Sequence, residues 1–104
     1  MIKREKRRYL ALKVATEQPL DERVVMNAIQ VSVLRLFGEY GASQANIKRI
    51  KYLPEKQQLI IRCSHTMLEK VRAAIALTII IDEKPAVIHV IGVSGTLNAL
   101  SKKT

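Results

Sequence analysis

Hydrophobic side chains recur along this chain with two different periods, and the order in which those periods alternate leaves few folds open. From Tyr9 to Ala15 the residues alternate, with Leu10, Leu12 and Val14 on one side and Tyr9, Ala11 and Lys13 on the other. Period two is the mark of a half-buried strand. Pro19 and Leu20 lead to Asp21, a good N-cap, with Glu22 placed where a carboxylate suits the helix dipole. Val25, Ala28, Ile29, Ser32, Val33, Leu36 and Phe37 then recur at spacings of three and four. That predicts an amphipathic helix whose stripe admits the small Ser32, ended by Gly38 and Gly41. Ile47 to Leu53 reads as a second strand, with Ile50 and Tyr52 on one face and Arg49 and Lys51 on the other. A turn at Pro54, Glu55 and Lys56 joins it as a hairpin to a third strand, Gln58 to Ser64. Thr66 and Glu69 have the spacing of a capping box that opens a second helix, with Leu68, Val71, Ala74, Ile75 and Thr78 facing inward. Asp82 to Pro85 break it, and Val87 to Val93 form a fourth strand before Gly95. The order β-α-β-β-α-β is that of an α+β, ferredoxin-like two-layer sandwich, the architecture of the RNA-recognition motif. Two helices cover one face of a four-stranded antiparallel sheet, and the other face stays open.

The 104 residues fit one domain, expected over 9–97. A basic arm, 1–8, precedes it and a short tail, 98–104, follows. Aromatic residues make up only 4% of the chain, so the core must be aliphatic. Lysine and arginine number 18 against 9 acidic residues, a formal charge of +9. Solubility needs less than this, so a polyanionic partner is expected. Cys63 is the one cysteine, which excludes an internal disulfide and fits a reducing, cytoplasmic setting. The apolar stretch after the N-terminal charges is short and contains Lys13, so it is no signal peptide, and no stretch is long enough to span a membrane.

Catalytic constellations are missing. His65 and His89 have no metal-ligand spacing to each other or to Cys63. Cys63, Ser64 and His65 are adjacent on a strand, which sends their side chains to opposite faces. Asp82 and Glu83 sit in a turn, and no glycine-rich phosphate loop is present. The open sheet face is more informative. If Leu10, Leu12, Val14, Ile50, Tyr52, Leu59, Ile61 and Cys63 turn toward the helices, the other face shows Tyr9, Lys13, Arg49, Lys51, Ile60 and Arg62 with no carboxylate. Together with Lys3, Arg4, Lys6, Arg7 and Arg8 of the arm, these cations make a phosphate track, and Tyr9 is the one ring placed to stack on a base. The third strand has no aromatic residue, unlike the base-stacking strand of an RNA-recognition motif. Phosphates and RNA shape should therefore dominate binding. From Ala73 to Ile81 the only polar residue is Thr78. Ile75, Leu77, Ile79, Ile80 and Ile81 are thus candidates for a protein interface; the alternative is that Ile79 to Ile81 leave the helix and tuck into the core.

Several short segments carry a resemblance. They are Arg8-Tyr9-Leu10, Leu36-Phe37-Gly38-Glu39-Tyr40-Gly41, Ile61-Arg62-Cys63, Val71-Arg72-Ala73-Ala74 and Val93-Ser94-Gly95-Thr96. In this order and spacing, over about residues 7–97, the chain resembles the archaeal ribonuclease P protein component 2 family, related to a eukaryotic subunit of ribonuclease P and ribonuclease MRP. The resemblance implies a non-catalytic RNA-binding subunit of an enzyme that removes 5′ leaders from precursor tRNA. It implies that the RNA subunit is the catalyst and uses Mg²⁺, while the protein binds no cofactor. It further implies two partners, the ribonuclease P RNA and a protein subunit with a TIM-barrel-like fold, with a homodimer or a heterotetramer both open. The competing reading is a small ferredoxin-like regulatory or metabolite-binding domain that acts as a homo-oligomer. A stand-alone nuclease would need clustered acids to hold metals, and the sequence has none.

Overall fold

The alternation that begins the chain becomes β1 (Arg7–Ala15), an interior strand of the main sheet. The computed structural model describes residues 6–17 and 20–103. After β1 come α1 (Glu22–Ala45), β2 (Lys48–Leu53), β3 (Gln58–Ser64), α2 (Leu68–Ala76), β4 (Ile80–Ile81), β5 (Lys84–Pro85), β6 (Val87–Ser94) and α3 (Leu97–Lys103). The main sheet is ordered β2-β3-β1-β6 with every neighbour antiparallel, which is the expected split βαβ topology. Leu10, Leu12 and Val14 of β1 and Leu59, Ile61 and Cys63 of β3 are buried on one face. Val25, Ile29 and Val33, spaced four apart on α1, pack there with Val71, Ala74 and Ile75 of α2. Asp21 caps α1 as expected, accepting the Arg23 backbone N–H at 2.9 Å.

The ends of the elements depart from the sequence reading. Gly38 does not end α1 but breaks it, at φ 75° and ψ 179°. The helix resumes beyond the break until Asn46, in the left-handed region, returns its N–H to the Ala42 carbonyl. The capping box does not form. His65–Met67 make a tight 3₁₀ turn, the Thr66 hydroxyl sits 3.1 Å from that of Ser64, and no side chain caps α2. The His65 backbone N–H donates to the Lys6 carbonyl, which extends the β1–β3 pairing by a residue. At the other end of α2 the Ala74 carbonyl accepts two hydroxyls, Thr78 Oγ1 at 2.8 Å and Ser32 Oγ at 2.9 Å. Those bonds explain why both residues stand in apolar stripes. They also replace the helical bond that the Thr78 N–H would have made, since it donates to the Ile75 carbonyl instead. The chain leaves the helix there and forms the small β4–β5 hairpin, with φ 54° at Asp82 and 66° at Glu83, the primed kind of turn that a two-residue hairpin favours.

The two ends of the domain also need correction. Arg7 and Arg8, assigned to the arm, are strand residues. Lys3 and Arg4 lie outside the described residues. The expected tail from 98 is largely helix. Thr96 starts α3, its hydroxyl accepting the Ala99 N–H at 3.2 Å. Leu100, with none of its surface exposed, packs with Ala11 and Ile60 on the far face of the sheet, where Tyr9 and Ile50 join them. The far face is therefore not open: a third helix seats one leucine in its middle.

Candidate RNA interface

The register of the sheet fixes what the far face presents. Directly paired residues share a face, so the far side can be read as rows across neighbouring strands about 4.8 Å apart. One row is Lys48, Arg62, Tyr9 and Ser94. The next is Lys51, Ile60, Ala11 and Gly92, and the third ends in Gln58, Lys13 and His89. Lys13, Lys48 and Lys51 are exposed, while Tyr9 and Arg62 are half-buried. None of these rows contains a carboxylate. The ion pairs Arg23–Asp21 and Arg49–Glu22 involve none of these cations.

Tyr9, Lys13, Lys51 and Arg62 therefore meet on one surface as the sequence predicts, and Arg7, paired with Ser64, continues it. Arg8 does not, because it pairs with Cys63 on the helix side. Lys6 is exposed just before β1. Arg49 is the clearest correction. The β2–β3 register shifts between Arg49 and Lys51, which puts Arg49 opposite Ile61, on the helix side. There its Nε donates to Glu22 Oε2 at 2.6 Å, tying β2 to the first turn of α1. The same bulge turns Ile50, expected in the core, toward the far face, and it brings in Lys48, which the sequence reading missed. A signal was available. Strict alternation through β2 places Lys48 beside Tyr52 on the buried face, and an unpaired buried lysine is a reason to expect a register break.

The apolar tip divides in two. Ile75 and Ile81, named as interface candidates, are 1% exposed and belong to the core. Ile75 lies on the inner face of α2, and Ile81 turns inward once the hairpin has left the helix. Leu77, Ile79 and Ile80 are each more than 60% exposed. Together with Val31 and Leu36 of α1 they line a groove floored by Ala28 and Ser32.

The remaining chemistry is structural. Burial pushes the Cys63 thiol up to about 11, against an opposing pull from Arg8. The backbone N–H of Arg23, then its guanidinium, hold the Asp21 carboxyl below its ordinary value. His65 Nδ1 lies 3.1 Å from the Lys6 carbonyl. Among the described residues no three His, Cys, Asp or Glu side chains gather closely enough to hold a metal ion, and no helix is long and apolar enough to cross a membrane.

Comparison with known proteins agrees with this architecture. The model of the Rpp14/Pop5 family matches residues 8–104. Ribonuclease P protein component 2 of Pyrococcus furiosus is 36% identical over 100 residues, covering 96% of this chain and 83% of that protein. The protein of the same name from Methanosarcina mazei is 34% identical over 100 residues, covering 96% and 84%. That from Methanocaldococcus jannaschii is 37% identical over 94 residues, covering 90% and 69%. A chain in the cryo-EM structure of yeast ribonuclease MRP shares the fold, with a TM-score of 0.69 over 93% of this chain and 79% of that one, at 14% identity. From its first strand to its last helix, this chain is similar to the archaeal ribonuclease P protein components 2, and it belongs to the Rpp14/Pop5 family.

Proposed function

We propose that the chain is a non-catalytic, RNA-binding protein subunit of a cytoplasmic ribonuclease P, which supports the RNA-catalysed removal of 5′ leaders from precursor tRNA. The observation that carries this reading is the far sheet face, where Lys13, Lys48, Lys51 and Arg62 stand together without a carboxylate. Such a surface attracts a polyanion and neutralises its phosphates. In this reading the Mg²⁺ of the reaction belongs to the RNA. The exposed Leu77, Ile79 and Ile80 suit a protein partner, the TIM-barrel-like subunit in a heterotetramer or a second copy of the chain in a homodimer.

The test is affinity for ribonuclease P RNA across a salt series. Each phosphate neutralised should contribute about −0.7 to −0.9 to the slope of log affinity against log salt. Lys48→Gln with Lys51→Gln and Arg62→Gln should flatten the slope, whereas Arg49→Gln, on the other face, should leave it unchanged. The chain alone should cleave no precursor tRNA with or without Mg²⁺, and should stimulate the RNA subunit. An unchanged slope in the triple variant, or 5′ cleavage by the RNA-free protein, refutes the proposal.

A further inference from the structure

We propose that the sheet face beneath α3 is a second kind of RNA site, one for unpaired bases, and that α3 is its displaceable cover; this rests on the RNA-binding reading above.

The middle row of the far face is hollow. Ala11 and Gly92 stand side by side across β1 and β6, and neither side chain fills the surface between the cationic row above and Lys13 below. Leu100 fills it, fully buried against Ala11 and Ile60. Of residues 97–100 Leu100 alone is buried; Leu97, Asn98 and Ala99 are exposed. A seven-residue helix is far below the length that is stable by itself in water, so α3 persists only while it is docked.

What surrounds the hollow is not what a permanently covered patch requires. An apolar patch that only seats a helix would be indifferent to the charge of its rim. Here Tyr9 and Ile50 stand at the edge of the floor, and Arg62 pairs directly with Tyr9. Lys48, Lys51 and Lys13 ring the same area. With Leu100 lifted, the surface is a shallow apolar floor with an aromatic ring and a guanidinium plane at one end and lysines around it. Unpaired bases stack on such surfaces while their phosphates meet the cations. A duplex presents neither its base faces nor the flexibility to enter. The third strand lacks aromatic residues, and Tyr9 of β1 occupies the row that could have supplied one.

A cover that must open before RNA enters reduces apparent affinity by the fraction of molecules that are open. If α3 is docked in roughly nine molecules of ten, releasing it should tighten binding about tenfold. The probe is a short oligouridylate. With full-length protein, Leu100→Gln should bind it about tenfold more tightly than wild type, and Tyr9→Ala added to that variant should cancel most of the gain. Hydrogen exchange on the unaltered protein gives a test that no misfolded variant can spoil: amides of 97–103 should lose protection when oligouridylate saturates the protein, while those of β1 and β3 keep theirs. Protection of α3 retained or increased with oligouridylate bound overturns the inference, as does failure to bind oligouridylate by a chain that still binds ribonuclease P RNA. A folded Leu100→Gln that binds no tighter does so too. Failure to bind either RNA would instead remove the reading on which the inference rests.

Discussion

Replacing Gly38 by alanine tests the bend in α1 through the sign of its effect. In an unbroken helix, alanine in place of glycine stabilises by about 0.5–1 kcal/mol, because glycine has more backbone freedom to lose. At φ 75° and ψ 179°, Gly38 instead occupies a region that is essentially closed to other residues. A Cβ built there meets nothing within 4 Å, so there is no clash to relieve and the cost is that of the backbone alone. That cost is about 1–3 kcal/mol. For a domain of this size each kcal/mol shifts Tm by about 4–8 °C, so Gly38→Ala should lower it by roughly 5–20 °C. Gly41 gives a companion with a different cause: its Cβ would lie 2.5 Å from Phe37 Cβ, an atom fixed to the backbone, so Gly41→Ala must shift the main chain at the bend and with it the Phe37 ring that packs on the core edge and sits under Lys70 Nζ. The two sites share one bend, so the double variant should lose less than the sum of the singles. Thermal melts by circular dichroism, with urea titrations to confirm an unchanged m-value, measure all three. A Gly38→Ala protein that melts higher than wild type would mean the helix runs through residue 38, and the reasoning fails.

Ile81→Ala should cost about 2–5 kcal/mol because it opens the core, whereas Ile79→Ala should stay within about 0.5 kcal/mol; Ile79→Asp should fold and yet fail to be captured by the partner subunit. Ser32→Ala should cost about 0.5–1.5 kcal/mol, and combining it with Thr78→Val should cost more than the two together, since the Ala74 carbonyl then loses both hydroxyls. Cys63 keeps its proton in the folded chain, so the associated stability is full below the thiol's ordinary range and lost as pH rises through about 11. Alkylation of Cys63 at mildly alkaline pH should therefore follow the urea unfolding curve, and rapid labelling of the native protein would contradict its burial.

The strand order and the core faces of β1 and β3 were legible because those strands pair regularly over most of their length. Leu10 and Leu12 meet Ile61 and Leu59 as alternation requires. Asp21 was legible because a cap is a local event. The failures lie where a competing local bond outbid the pattern. Thr66 matched a capping box, but its hydroxyl lies beside Ser64 and the turn tightened to 3₁₀. Thr78 fitted a helical stripe, but its hydroxyl and that of Ser32 took the Ala74 carbonyl, and the apolar run beyond split into a buried Ile81 and exposed Ile79 and Ile80.

The candidate site shows why charge is easier to read from sequence than position. Cations occupy residues 48, 49 and 51 of β2. Strict alternation turns Arg49 and Lys51 to the far face; the bulge turns Lys48 and Lys51 there instead. Either register delivers two positive charges beside Arg62, so the electrostatic character of the face survives an error in the assignment of its residues. Arg49 itself is drawn the other way by Glu22, whose place in the first turn of α1 sequence alone also gave. The cover on that face had no comparable redundancy. Leu97 and Leu100 are one spacing of three, too little to establish a helical period, and no local rule says to which surface a terminal segment returns. The clue lay in the seat. Ala11 is a small residue at the centre of an interior strand, on a face otherwise read as polar, and a small side chain there leaves a hollow that close packing does not tolerate empty. Its complete burial follows from Leu100 reaching across from the end of the chain.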